Sequence, residues 1–166
     1  MEQVTFFENN LYYKKTEEAF FLHKKIISER LPFADVQHVG SSAIPNSLTK
    51  GDLDIQVRVT PEQFPIAVRA LETLYERNEG SSKTNDFRAF KDDSATPPLG
   101  VQLTVINSDV DFFWKFREIL LTNDQYRKEY DQIKKKYEGK DMDTYREAKS
   151  EFFGMLMETA EFRELS

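Results

Sequence analysis

The sequence predicts an α/β (α+β) fold: a small mixed β-sheet with helices on one side and a C-terminal helical segment. Three observations predict it. Four short runs before position 108 alternate apolar and polar residues, helical spacing precedes and interrupts them, and from Ser108 the spacing is helical to the end.

Residues 9–31 (NNLYYKKTEEAFFLHKKIISERL) set Leu11, Ala19, Phe20, Leu22, Ile26 and Ile27 at three- and four-residue spacings, an amphipathic helix that Pro32 ends. Residues 34–39 (ADVQHV) alternate as a half-buried strand, which Gly40, Ser41 and Ser42 break. Ser41 or Ser42 is placed to cap a short helix running to Leu48, with Pro45 near its first turn. Residues 52–59 (DLDIQVRV) alternate again. Leu53, Ile55, Val57 and Val59 share one face, so Asp52, Asp54, Gln56 and Arg58 share the other. Thr60-Pro61 reads as the start of a helix to about Arg77, with Phe64, Val68 and Leu71 inward. Residues 79–86 are loop-like. Residues 86–91 (DFRAFK) and 101–106 (VQLTVI) read as strands that pair as a hairpin across the proline-rich connection 92–100. Helices are expected near 109–121, 123–137 and 141–162, separated by Thr122-Asn123 and Gly139. At 166 residues the chain suits a single domain over 1–166, with an α/β core over 1–108 and helices over 109–166 packed on it.

Composition narrows the function classes. With 39% hydrophobic and 31% charged residues, and 14 Phe, 7 Tyr and 1 Trp, the chain has ample material for a folded core. There is no cysteine, which excludes disulfides, a thiolate zinc site and a cysteine nucleophile, and His23 and His38 are the only histidines. No apolar run reaches membrane-spanning length and the first residues lack signal-peptide features, so the expected location is the cytoplasm, with no membrane partner. A net charge of −6 argues against a broad nucleic-acid surface but leaves room for a local basic pocket.

The stretch from His38 to Val57, HVGSSAIPNSLTKGDLDIQV, carries the chemistry. Carboxylates at i and i+2 on one strand face project in one direction, about 6–7 Å apart along the strand, within reach of one hard divalent cation. Gly40, Ser41 and Ser42 offer backbone N–H groups and hydroxyls to a phosphate. The two halves belong together, because in phosphoryl transfer a metal neutralises phosphates that a backbone cradle holds in line. Each half also has a plain reading: an ordinary helix cap for the turn, and a solvated strand face for Asp52 and Asp54, although Asp is disfavoured in strands. His38 either touches a bound phosphate or hydrogen-bonds the turn. Lys50, Arg58, Arg88 and Lys91 read equally as phosphate partners or surface charges.

The run from His38 to Ser42 with Ile44-Pro45, then Lys50-Gly51-Asp52-Leu53-Asp54-Ile55, resembles the GrpB family, a branch of the nucleotidyltransferase superfamily that includes DNA polymerase beta. Phe87 to Phe90 (FRAF), the strand over 101–106, and the Tyr145, Ala148, Lys149 and Phe152 spacing near the C-terminus agree with it, so the likeness spans about 34–160. The resemblance implies a nucleotidyltransferase-like mixed sheet. In it the Gly40, Ser41 or Ser42 turn, with Lys50 and Arg88, holds the phosphates of a nucleotide triphosphate. Asp52 and Asp54 are then the catalytic pair, binding Mg²⁺ or Mn²⁺. Active transferases of the superfamily place a third carboxylate on a neighbouring strand; here Gln102 and Thr104 occupy those places, and neither is a good general base. Asp86, Asp92 and Asp93 are the loop carboxylates near enough in sequence to replace it. The expectations are a metal-dependent nucleotide-binding protein that transfers a nucleotidyl group to an unknown acceptor, or a binding module that keeps the pocket without chemistry. A third reading makes the aromatic-rich terminal helices a dimer face; the sequence leaves the oligomeric state open.

Overall fold

In the computed structural model, which describes residues 2–166, the elements run β1 (Phe7–Glu8), α1 (Tyr13–Arg30), β2 (Asp35–Val39), β3 (Leu48–Thr49), β4 (Leu53–Val59), α2 (Phe64–Leu74), β5 (Glu76–Arg77), β6 (Phe87–Asp92), β7 (Leu99–Val105), α3 (Phe113–Thr122), α4 (Asp124–Tyr137), α5 (Met142–Met157) and α6 (Ala160–Arg163). Five strands form one mixed sheet in the order β2-β4-β7-β6-β5, with β4 and β7 parallel and the other neighbours antiparallel. β1 pairs with β3 apart from it.

Alternation in β4 sorts the two faces of this sheet. Leu53, Ile55, Val57 and Val59 are wholly buried against Phe20 and Ile27 of α1 and Phe64 and Leu71 of α2. Each such side chain contributes about 1.5–3 kcal/mol by leaving water, so β4 and the two helices over it form the main core. The opposite face carries Asp54, Gln56 and Arg58. It is covered by the C-terminal helices: the Trp114 amide of α3 donates to Gln56 Oε1 (3.0 Å), and Arg117 donates to the His38 carbonyl (3.1 Å). Phe116, Ile119, Leu120, Tyr130, Phe152 and Leu156 then form a second core among α3, α4 and α5.

Several element ends differ from the sequence reading. The helix expected after Gly40 is a single 3-10 turn over Ser41–Ala43. Asn9 explains this, because its amide donates to the carbonyls of Ser42 and Ile44 (both 2.9 Å), which a continuing helix would use itself. Thr60 and Gln63 form a reciprocal box, each backbone N–H bonded to the other's side chain, and residues 61–63 make a turn that leads into α2 at Phe64. It stops at Leu74 because Glu76 and Arg77 pair with Lys91 and Phe90. The long terminal helix breaks at Glu158-Thr159, where the Thr159 hydroxyl caps α6.

Two ties hold the C-terminal helices to the N-terminal segment and to β3. The N-terminal segment is laced to the α4–α5 turn: Val4 N donates to Lys140 O (3.1 Å), Gly139 N to Val4 O (2.8 Å) and Met142 N to Glu2 O (3.0 Å). Lys134 of α4 is fully buried and donates to Ser47 Oγ (3.0 Å) and to the Leu48 carbonyl (2.5 Å). Burial pushes the Lys134 ammonium down to about 7, against the opposing pull of Asp131. An unfolded lysine titrates near 10.4, so between about pH 7 and 10.4 the unfolded chain holds a proton that the folded one has released. Stability therefore rises with pH in that window, and the full cost of charging Lys134 is present below it. Urea denaturation from pH 7 to 9 should show a slope approaching about 1.4 kcal/mol per pH unit, which Lys134→Met removes. An equal slope in the variant would show that Lys134 is not its source.

Candidate functional site

The site begins with a close approach of backbone to carboxylate. Val39 and Gly100 are the register partners of Asp54 on either side of β4. A Cβ on Gly40 would lie 2.6 Å from Asp54 Oδ2, and one on Gly100 would lie 2.9 Å from Asp54 Oδ1. The Asp54 carboxylate thus sits between two bare backbones. Gly40 also has φ +76°, a conformation that favours glycine.

Asp54 opens into a cavity of about 700 Å³ between the polar sheet face, the Gly40 turn and helices α3 to α5. Lys50, Asp52, Asp54, Arg117, Arg146 and Lys149 line it, together with Gln102. Along α5 the lining passes from Tyr145, Arg146 and Lys149 at a charged end to Phe153, Gly154 and Met157 at an aromatic one, to which α3 adds Phe112, Phe113 and Phe116. Burial pushes the Asp54 carboxyl above its ordinary range, Lys149 opposes this, and Asp52 adds to it. Lys50 Nζ lies 3.6 Å from Asp52 Oδ2. Of the described residues lining the cavity, Asp52 and Asp54 are the carboxylates.

The donor set fits a divalent cation held jointly with phosphate. Mg²⁺ is usually bound by one or two carboxylates plus substrate oxygens and water, and two carboxylates are here. The side-chain oxygen of Gln102 is buried without a hydrogen-bond partner, a further hard oxygen in the same wall. Among the described residues no group of three His, Cys, Asp or Glu side chains could hold a metal by itself, so a cation here needs oxygens from its ligand.

Of the residues singled out in the sequence, Gly40, Ser41, Lys50, Asp52, Asp54 and Gln102 meet at the cavity. Ser41 Oγ donates to Thr49 Oγ1 (3.1 Å). The others do not reach it, for identifiable reasons. His38 is the partner of Ile55 and so faces the α1 core, where its ring stacks on Phe20 at 5.1 Å. Its Nδ1 meets Glu17 and its Nε2 meets Ser42 Oγ (3.0 Å), which occupies the Ser42 hydroxyl and leaves that side chain buried behind the turn. Burial lowers the His38 pKa, while Glu17 works against the shift. Arg88 is the partner of Leu103 on the α2 face and lies over the Phe64 ring at 5.5 Å, so the expected phosphate contact is corrected. Thr104 shares the face of Asp54 but is buried, its hydroxyl accepting from Gln56 (2.9 Å). Arg58 is held by Asp35 and Asp111 (both 2.7 Å). Asp92 accepts from Ser94 (2.7 Å) and Asp93 pairs with Lys91 (3.0 Å), and neither they nor Asp86 line the cavity.

Residue-by-residue reading missed Gly100, Arg117, Arg146 and Lys149. Gly100 reads as the end of a proline-rich loop, and the three cations lie on helices whose charges look solvated. Only the Tyr145, Ala148, Lys149 and Phe152 spacing carried a signal.

A family model described as "GrpB protein" matches residues 10–159 of the chain. A UPF0157 protein of Vibrio cholerae is 28% identical over 156 residues, covering 94% of this chain and 83% of the relative. The crystal structure of conserved protein GrpB from Enterococcus faecalis superposes with a TM-score of 0.59 at 21% identity, covering 73% of this chain and 76% of that one. A structure of the Cid1 poly(U) polymerase with Mg and 3'-dATP bound gives a TM-score of 0.46 at 17% identity, covering 74% of this chain and 43% of that one.

Proposed function

Because the chain belongs to the GrpB family, we propose that its cavity binds a nucleoside triphosphate together with Mg²⁺ or Mn²⁺. The observation that carries this reading is the seat of Asp54, whose two oxygens are approached by Gly40 and Gly100 closely enough that no side chain fits between them. Those backbones fix the place of the carboxylate, and its open side faces the cavity, where a cation takes phosphate oxygens to complete its shell. Lys50, Arg117 and Lys149 surround the place where those phosphates lie and offset their charge. Ser41 and Gly40 border them from the turn. The metal, when bound, supplies charge neutralisation at the phosphates.

The site suits binding better than transfer. A general base would stand on β7 beside β4, where Gln102 has no basic group and the Thr104 hydroxyl is already engaged by Gln56. Isothermal titration of the whole protein with ATP is the test. Binding should require Mg²⁺, disappear with EDTA, and weaken at least about tenfold in Asp52→Ala, since a divalent ion loses one of its two carboxylates. Equal affinity with and without the metal, and in Asp52→Ala, would refute the proposal. Incubation with α-labelled triphosphate and a panel of hydroxyl-bearing acceptors should give no labelled product; a labelled acceptor would make the protein a transferase.

A further inference from the structure

We propose that the aromatic end of the cavity seats the nucleobase as a flat ring beside Gly154 and accepts all four common bases about equally. This rests on the reading of the charged end as a triphosphate site. α5 runs along the cavity and changes character as it goes. Arg146, Lys149 and Ser150 line the charged end; Phe153, Gly154 and Met157 line the part beyond. At 1.5 Å per residue, Lys149 and Gly154 lie about 7.5 Å apart along the helix axis, a span that a ribose bridges. α3 supplies the facing wall, and the Phe116 and Phe153 rings meet at 4.5 Å between centroids, forming a continuous aromatic surface.

Gly154 is the informative residue. Glycine is, after proline, the residue least suited to a helix, yet here it stands within α5, in the last turn. No crowding requires it, because a Cβ at Gly154 would meet nothing within 4 Å. Its effect is to leave a flat strip of helix open to the cavity next to the Phe153 ring.

The same walls determine what is not read. Phe112, Phe113, Phe116, Phe153 and Met157 carry no donor or acceptor that pairs with a base edge, and the hydroxyl of Ser150 stands one turn earlier on α5, toward Lys149. Stacking tolerates any base because every base has a π-face, whereas discrimination needs paired hydrogen bonds to the edge. The cavity therefore holds the ring and ignores its substituents.

The test is isothermal titration of wild type and Gly154→Leu with Mg²⁺ complexes of ATP, GTP, CTP, UTP and inorganic tripolyphosphate. In wild type the four nucleotides should agree within about threefold, and tripolyphosphate should bind at least about tenfold more weakly, the part that stacking contributes. Gly154→Leu fills the strip. It should bring the nucleotides down to the tripolyphosphate affinity, leave tripolyphosphate itself unchanged, and melt at or above the wild-type temperature. Should that variant fold poorly, Phe113→Ala on the facing wall carries the same expectation. A preference of more than about tenfold for one base overturns the indifference. Equal wild-type affinity for nucleotides and tripolyphosphate, or nucleotide binding unaffected by both variants, overturns the base seat and leaves the charged end standing. If tripolyphosphate and nucleotides all fail to bind, the triphosphate reading falls and this inference with it.

Discussion

Asp111→Ala should cost about 3–5 kcal/mol of folding stability, the loss expected when one partner of a buried ion pair is removed. Asp111 is 3% exposed and accepts from Arg58 Nε (2.8 Å), Arg58 Nη2 (2.7 Å), Gln56 Nε2 (2.8 Å) and the Asn107 amide (2.9 Å). Burial alone would push its carboxyl up, but Arg58 and the Asn107 amide outweigh that and hold it below the usual carboxylate range. Without it, the Arg58 guanidinium keeps only Asp35 and the Trp114 ring, 5.1 Å away. Gln56 loses one of the contacts that orient it toward the Trp114 amide, so the start of α3 loosens with the sheet. Urea denaturation of Asp111→Ala and Asp111→Asn measures this. The asparagine variant should lose less, because its side-chain oxygen still accepts from Arg58, and a cost below about 1 kcal/mol for alanine would mean that Arg58 finds water instead.

Gly40→Ala should abolish metal-dependent nucleotide binding and cost about 1–3 kcal/mol of stability besides. Two separate effects add here. The backbone at Gly40 (φ 76°, ψ −178°) lies in a region essentially closed to side-chain-bearing residues, and the new methyl would stand 2.6 Å from Asp54 Oδ2. The carboxylate must swing away from its seat. Gly100→Ala separates the two effects, because Gly100 has no positive φ and its Cβ would press on Asp54 Oδ1 at 2.9 Å. It should weaken binding with a smaller loss of melting temperature. Wild-type affinity in both glycine variants would show that the seat of Asp54 has no part in ligand binding.

The strands were legible in the sequence because alternation reports directly which side chains face the core. Leu53, Ile55, Val57 and Val59 against Asp54, Gln56 and Arg58 sort the two faces of β4 before any partner strand is known. The same rule could have excluded His38 and Arg88 from the Asp54 face, but only with the pairings His38–Ile55 and Arg88–Leu103, and register is a property of two strands. The turn after Gly40 was misread for a related reason. Serines and a proline suit a helix start, and what stops the helix is Asn9, more than thirty residues away. Lys149 and Arg117 were hidden because a cation on an amphipathic helix looks solvated until the opposite wall is known. Asp52 and Asp54 stood out because two aspartates one residue apart in an alternating run go against strand propensity, although Asp52 itself lies just before β4.

The lacing of residues 2–6 to the α4–α5 turn bears on the order in which the molecule assembles. Phe6 lines the cavity and its amide is held by Glu138, whereas Phe7 next to it pairs with Thr49. Residues 2–6 leave the ribosome long before their partners at 138–142 are made, and synthesis proceeds at about 5–20 residues per second. During that interval Val4 and Phe6 have nowhere to dock. The earliest-made part of this region therefore settles among the last, and the cavity gains its final wall only when translation has passed the turn between the two closing helices.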